Sequence, residues 1–119
     1  MDFSFFAHME RIDKSQSQTR LYEEFIELCM IAEKGGFSTI WNGEHHGMNF
    51  TIAPNPFTNL VDLSHRTNSI KLGTATIVAP FWHPIKLAEE TAMADIITKG
   101  RLQLGLARGA YSFEYDRLA

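Results

Sequence analysis

The chain has 119 residues, 45% of them hydrophobic and 21% charged, which fits one globular domain with a real core. A formal net charge of -3 with scattered Lys and Arg leaves no basic cluster to neutralise phosphates, which argues against a nucleic-acid surface. The lone Cys29 excludes an intramolecular disulfide, and the stretch Met1 to Ala7 lacks the charge and length of a signal peptide or membrane span, so a cytoplasmic protein is expected.

Residues 2 to 7 are short and aromatic-rich, suiting an opening strand that ends at His8. Ser15 and Gln18 have capping-box spacing, and Leu21, Phe25, Leu28 and Ala32 recur at helical intervals beside Tyr22, Ile26 and Cys29. A first helix is predicted from about Gln16 to Lys34, ended by Gly35-Gly36. Phe37 to Trp41 reads as a second strand, and the loop behind it, Asn42 to Pro54, carries Glu44-His45-His46. Asn55 caps a second helix opened by Pro56 and ending near Arg66, with Phe57, Leu60, Val61 and Ser64 on one face.

After turn residues Thr67-Asn68-Ser69, the β-branched run Ile70 to Ile77 reads as a third strand. A third helix from Pro84 to Thr98 is predicted to bury Ile85, Ala88, Ala92 and Ile96, with Lys99-Gly100 as its stop. Leu102, Leu104 and Leu106 alternate with Gln103, Gly105 and Ala107 as a fourth strand, and Tyr111 to Ala119 shows no capping element. The order βαβαβαβ requires parallel pairing, hence an α/β fold.

An open doubly wound sheet and a piece of a (β/α)8 barrel both satisfy that order. No Gly-x-Gly-x-x-Gly follows the first strand, and polar groups follow every strand, so the barrel is favoured. A full barrel takes about 250 residues. Residues 1–119 therefore read as the N-terminal half of a barrel domain, truncated after four strands.

Three strand ends hold most of the chemistry. Glu44-His45-His46 offers a carboxylate and two imidazoles suited to acid–base work near neutral pH, or else a capping histidine beside an exposed one. Adjacent histidines point apart, so no metal site is expected. Arg108, flanked by Gly105 and Gly109, reads either as an anion ligand or as half of a surface ion pair with an acid such as Glu114. His83 reads as a structural residue at a helix entrance. Trp41, Phe81, Trp82 and Tyr111 form either an aromatic wall for a planar ligand or core.

Several stretches, in fixed order and spacing, carry a family likeness. They are Gly36-Phe37-x-x-x-Trp41-x-x-Glu44-His45-His46, Asn55-Pro56, Gly73-Thr74-Ala75-x-Ile77-Val78-x-Pro80-x-x-His83-Pro84, Ala88-Glu89 and Lys99-Gly100-Arg101-x-x-x-Gly105-x-x-Arg108-Gly109-x-Tyr111. Together they resemble the bacterial luciferase-like, flavin-dependent monooxygenases over almost the whole chain. The resemblance implies a (β/α)8 TIM barrel that binds reduced FMN (FMNH2) at the C-terminal ends of its strands and uses O2 to oxygenate a small organic substrate.

By the same resemblance His45 is the acid–base residue beside the flavin, with Glu44 and His46 as its neighbours. Ala75-Thr76 is a non-proline cis peptide packed against the isoalloxazine, and Arg108, Ala110 and Tyr111 lie at the flavin site. From their places at strand ends, His8 and Ala107 are expected to line the substrate pocket, and His46 to be structural or substrate-lining. The luciferases proper carry a reactive cysteine where this chain has Ala107, so light emission is not implied. Implied partners are a separate NAD(P)H:flavin reductase and a second subunit in a homo- or heterodimer, with no nucleic acid or membrane. The rival readings are hydride transfer with a deazaflavin or flavin, a non-catalytic flavin-binding protein, and, least, a metal-assisted hydrolase on Glu44, His45 and His46.

Overall fold

The computed structural model describes residues 1–119. Its elements run β1 (Ser4–Phe6), α1 (Gln18–Lys34), β2 (Thr39–Asn42), α2 (Pro56–Arg66), β3 (Lys71–Thr74), β4 (Ile77–Val78), a 3-10 turn (Ala79–Phe81), α3 (Pro84–Ile97), β5 (Leu102–Gln103), β6 (Leu106–Ala107) and α4 (Ser112–Leu118). All strand pairs are parallel. The main sheet has the order β1-β2-β3-β5, and β4 pairs with β6 beyond it. Each new strand is thus added to the same edge with no reversal. A doubly wound sheet reverses its strand order at a switch point, so the sequential order marks a segment of a (β/α)8 barrel.

Alternation along the strands separates the two faces of the sheet. Ile40 and Leu72 point outward into a core with Phe25, Cys29, Leu60, Leu63, Ile70, Met9 and Ala53, so α1 and α2 cover that face. Trp41 points to the other face and lies across Gly73, where an added Cβ would sit 2.2 Å from the indole. Burial pushes the Cys29 thiol up to about 12, making it an inert member of the core. A second cluster of Phe57, Ile77 and Ala94 joins α2 and α3 to the strand end, with Trp82 against it.

Both long strands expected from the sequence break in two. Residues 75 and 76 lie outside β3 and β4 and the peptide between them is cis, while Ala75 N–H still donates to the Asn42 carbonyl at 2.8 Å. The opposite strand breaks at Leu104-Gly105, where the Thr74 hydroxyl donates to the Gly105 carbonyl and accepts from the Gly105 N–H, both at 2.9 Å. The threonine side chain, with the Ile77 N–H that donates to the Gly105 carbonyl at 2.9 Å, joins the two broken strands. An added Cβ at Gly105 would come within 2.3 Å of the Thr74 carbonyl oxygen, so this crossing needs glycine.

Four further expectations are corrected. The α1 cap is Ser17, whose side chain accepts from Arg20 N–H at 3.3 Å, while Ser15 donates its N–H to Asp13 in a turn. Leu28 is exposed because the buried stripe is Phe25, Cys29 and Ala32. On α3, Ile85, Ala88, Ala92 and Ile96 all face outward, and Ala94 is the buried residue, because this helix is apolar on two sides and its periodicity does not choose between them. Residues 112–118 form α4, so the end of the chain is structured. The α2 cap by Asn55 and the α3 cap by His83, accepting from Ile85 N–H at 3.3 Å, stand as predicted. No helix is long and apolar enough to cross a membrane.

Candidate active site

The C-terminal ends of the strands bring His8, the loop 42–46, the peptide Ala75-Thr76 and residues 107–111 to one face. Two recesses open there, and both are lined by Ala75 and Thr76. One, of about 430 Å³, adds Phe6, Trp41, Thr74 and Gly105. The other, of about 360 Å³, adds Glu44, His45, Val78, Ala107, Arg108, Gly109 and Ala110. The cis bond stands between them as a low floor with no side chain larger than threonine.

Glu44 is buried, and its carboxylate is fully engaged. Oε2 accepts from Val78 N–H at 2.8 Å, the Trp82 indole N–H donates to both oxygens at 3.1 and 3.0 Å, and His46 Nε2 donates to Oε1 at 2.6 Å. These bonds tie the end of β2 to the corner after β4 and fix His46 in place. Glu44 therefore lines the recess as a brace, with no oxygen left over for a bound molecule. Trp82 belongs to this brace and to the second core, while Trp41 faces the first recess.

His45 is held differently. Its Nδ1 lies 3.3 and 3.4 Å from the two carboxylate oxygens of Glu114 on α4, and Glu114 Oε1 also accepts the His46 backbone N–H at 2.7 Å. Glu114 is 1% exposed. The surface ion pair between Arg108 and Glu114 does not form: Arg108 is exposed at the rim of the recess and makes no ion pair in the chain. Sequence reading named Glu114 only as a surface acid for Arg108 and missed its contact with His45, because no helix was expected over residues 111–119. A carboxylate in the first turn of a short helix just past Arg108-Gly109 was the signal available.

An aromatic group surrounds His45. Tyr111 stands 5.5 Å from its ring and Phe50 5.4 Å, and His8 packs between Phe50 at 4.3 Å and Phe6 at 4.6 Å. His8 Nδ1 is hydrogen-bonded to Thr51 Oγ1 at 2.7 Å. Burial, and then the neighbouring charge of His45, hold His8 below its ordinary value, with Glu10 pulling weakly the other way. Phe50 is a second residue that the sequence did not flag. A further recess of about 510 Å³ opens on the far side of His45, lined by Tyr22, Met48, Thr51 and Ile52 among others. No group of three or more His, Cys, Asp or Glu has metal-binding geometry.

Known proteins resemble this chain in sequence and in fold. A family model described as luciferase-like monooxygenase matches residues 1–119. The oxygenase component of flavin-dependent trigonelline monooxygenase from Acinetobacter baylyi is 64% identical over 118 residues, 99% of this chain and 33% of that protein. Among solved structures, monooxygenase RslO1 from Streptomyces bottropensis superposes with a TM-score of 0.92 at 29% identity, over 99% of this chain and 36% of that one. The oxygenating constituent of 3,6-diketocamphane monooxygenase from Pseudomonas putida, a type II Baeyer-Villiger monooxygenase in complex with FMN, gives 0.86 at 25% identity, over 93% and 30%. This chain spans about a third of the length of these relatives. It belongs to the luciferase-like monooxygenase family.

Proposed function

We propose that residues 1–119 supply the N-terminal part of a barrel domain in an FMN-dependent monooxygenase, which oxygenates a small organic substrate with reduced FMN and O2. One observation carries this reading: a small-residue floor at Ala75-Thr76 lies between two recesses, with the unpaired Arg108 on the rim and His45 at the wall. Such a surface fits a flat ring bearing an anionic tail. When bound, reduced FMN supplies the electrons that activate O2.

The residues divide the remaining work. Ala75 and Thr76 support the ring face, and Ala110 and Tyr111 border it. Arg108 pairs with the anionic tail, for which an exposed guanidinium with five donors is suited. His45 holds or passes a proton at Nε2, the nitrogen with no partner in the chain. Glu44 and His46 keep that loop in register. Phe6, His8, Phe50 and Ala107 border the space left for substrate and help exclude water from it.

The 64% identity to a trigonelline monooxygenase favours a substrate of that kind, and the aromatic faces around His45 suit a small planar ring. That relative is named an oxygenase component, which supports a separate NAD(P)H:flavin reductase as electron donor. The exposed apolar face of α3, formed by Ile85, Ala88, Ala92, Met93 and Ile96, supports a second copy as the dimer partner.

Turnover tests the reading. The complete enzyme that contains residues 1–119, given FMNH2 from a separate reductase, air and trigonelline, consumes O2 and yields a product heavier by oxygen. His45→Ala lowers turnover on the order of 10²-fold with little change in flavin affinity, whereas His46→Ala costs less. Hydride exchange with a reduced deazaflavin and no O2 uptake overturns the monooxygenase reading. So does tight FMN binding with no turnover.

A further inference from the structure

We infer that Glu114 is the positioning residue for His45, fixing which imidazole nitrogen carries the proton and so which one faces the reaction. This rests on the proposed role of His45 as proton handler. The two histidines of the loop each meet one buried carboxylate, yet the two carboxylates are committed differently. Glu44 spends both oxygens on Val78, Trp82 and His46, so it holds the strand corner together. Glu114 has two partners only, the backbone N–H of His46 at 2.7 Å and Nδ1 of His45 at 3.3 to 3.4 Å.

A carboxylate accepts and cannot donate, so Nδ1 carries the hydrogen and Nε2 is left with a free lone pair. The His45 side chain is 17% exposed and that of Glu114 is 1% exposed, so water does not compete effectively for this bond. The backbone bond to His46 meanwhile pins the carboxylate to the loop that carries His45. When the imidazole takes a proton at Nε2, the charge formed sits against a buried anion, which stabilises it without reorganisation. A carboxylate that holds a histidine tautomer in this way is a known arrangement in the serine protease triad, where the amide replacement costs about 10⁴-fold by inverting the tautomer.

The test compares Glu114→Gln and Glu114→Asp by turnover, flavin affinity and nitrogen NMR of the His45 ring in flavin-free protein. In the parent, Nδ1 is the protonated nitrogen. Glu114→Gln keeps its amide oxygen on His46 N–H and turns its NH2 toward Nδ1. The hydrogen therefore moves to Nε2, and turnover falls on the order of 10²-fold while flavin affinity stays within about threefold. Glu114→Asp keeps the Nδ1 hydrogen and recovers at least a tenth of the parent rate. An unchanged His45 tautomer in Glu114→Gln overturns the proposal, whatever the activity, and so do equal losses of turnover and flavin affinity in both variants. Loss of activity in His45→Ala is a separate readout. If that variant keeps full activity, the acid–base role fails while the NMR result still decides the tautomer.

Discussion

At the scale of single residues, the site is a set of polar side chains whose partners decide what each can do. His8 illustrates the sign of the effect. Its folded-state value lies below the ordinary 6.5, mainly through burial and then through His45. The unfolded chain thus takes up the proton first. The contribution to stability is complete above 6.5 and is lost as pH falls from there through the lower folded value. Chemical denaturation at a series of pH values between about 7.5 and 5 should show that decline in the parent and a shallower one in His8→Gln; parallel curves for the two proteins would remove His8 as its source. Glu33 has the same sign in a lower window. Burial alone would raise it, but the backbone N–H groups of Ser69, Ile70 and Asn68, and then Arg101, hold it below its ordinary value. His45 and Arg108 stood out in the sequence as polar residues at strand ends, whereas the pair Ala75-Thr76 sat inside an expected strand and was singled out only by the family resemblance. The contact of Glu114 with His45 and the place of Phe50 were not legible in sequence, since one is made across 69 residues and the other around a loop.

At the scale of elements, capping and termination were the readable part. Asn55-Pro56 and His83-Pro84 start helices by local chemistry alone, and both starts are found where the sequence puts them. What packing decides was not readable. The helix α3 is apolar toward Ala94 and Leu87, which meet α2, and also toward Ile85, Met93 and Ile96, which are 62%, 61% and 77% exposed. That exposed apolar side supports the proposal of a second copy as partner there. Ile96→Lys should turn a dimer into a monomer in sedimentation while shifting the stability of the subunit by no more than about 0.5 kcal/mol, the usual range for a surface change. An unchanged sedimentation mass would dismiss this face as the contact. The broken strands teach a related lesson. An uninterrupted run from Ile70 to Ile77 looks like one strand, yet Ala75 and Thr76 lie outside β3 and β4, and Thr74 with Gly105 helps join the broken strands.

At the scale of the whole molecule, sequential parallel strands gather all the polar strand ends on one face, which is the reason a barrel of this type can build a site from distant residues. The fold class followed from the alternation of elements and the missing dinucleotide fingerprint. The proposed site lies at the strand ends, where Ala75 and Thr76 line two recesses. The most direct measurement is an anaerobic titration of the parent and Ala75→Leu with reduced FMN, alongside thermal melts of both. A leucine at this position fills the low floor, so flavin affinity should fall on the order of 10²-fold, since a flat ring excluded from its seat loses most of its buried apolar area. The melting temperature should change by only a few degrees, because Ala75 is half-buried and outside both core clusters. Equal affinity for reduced FMN in the two proteins would contradict the placement of the flavin on this floor, and with it the central claim.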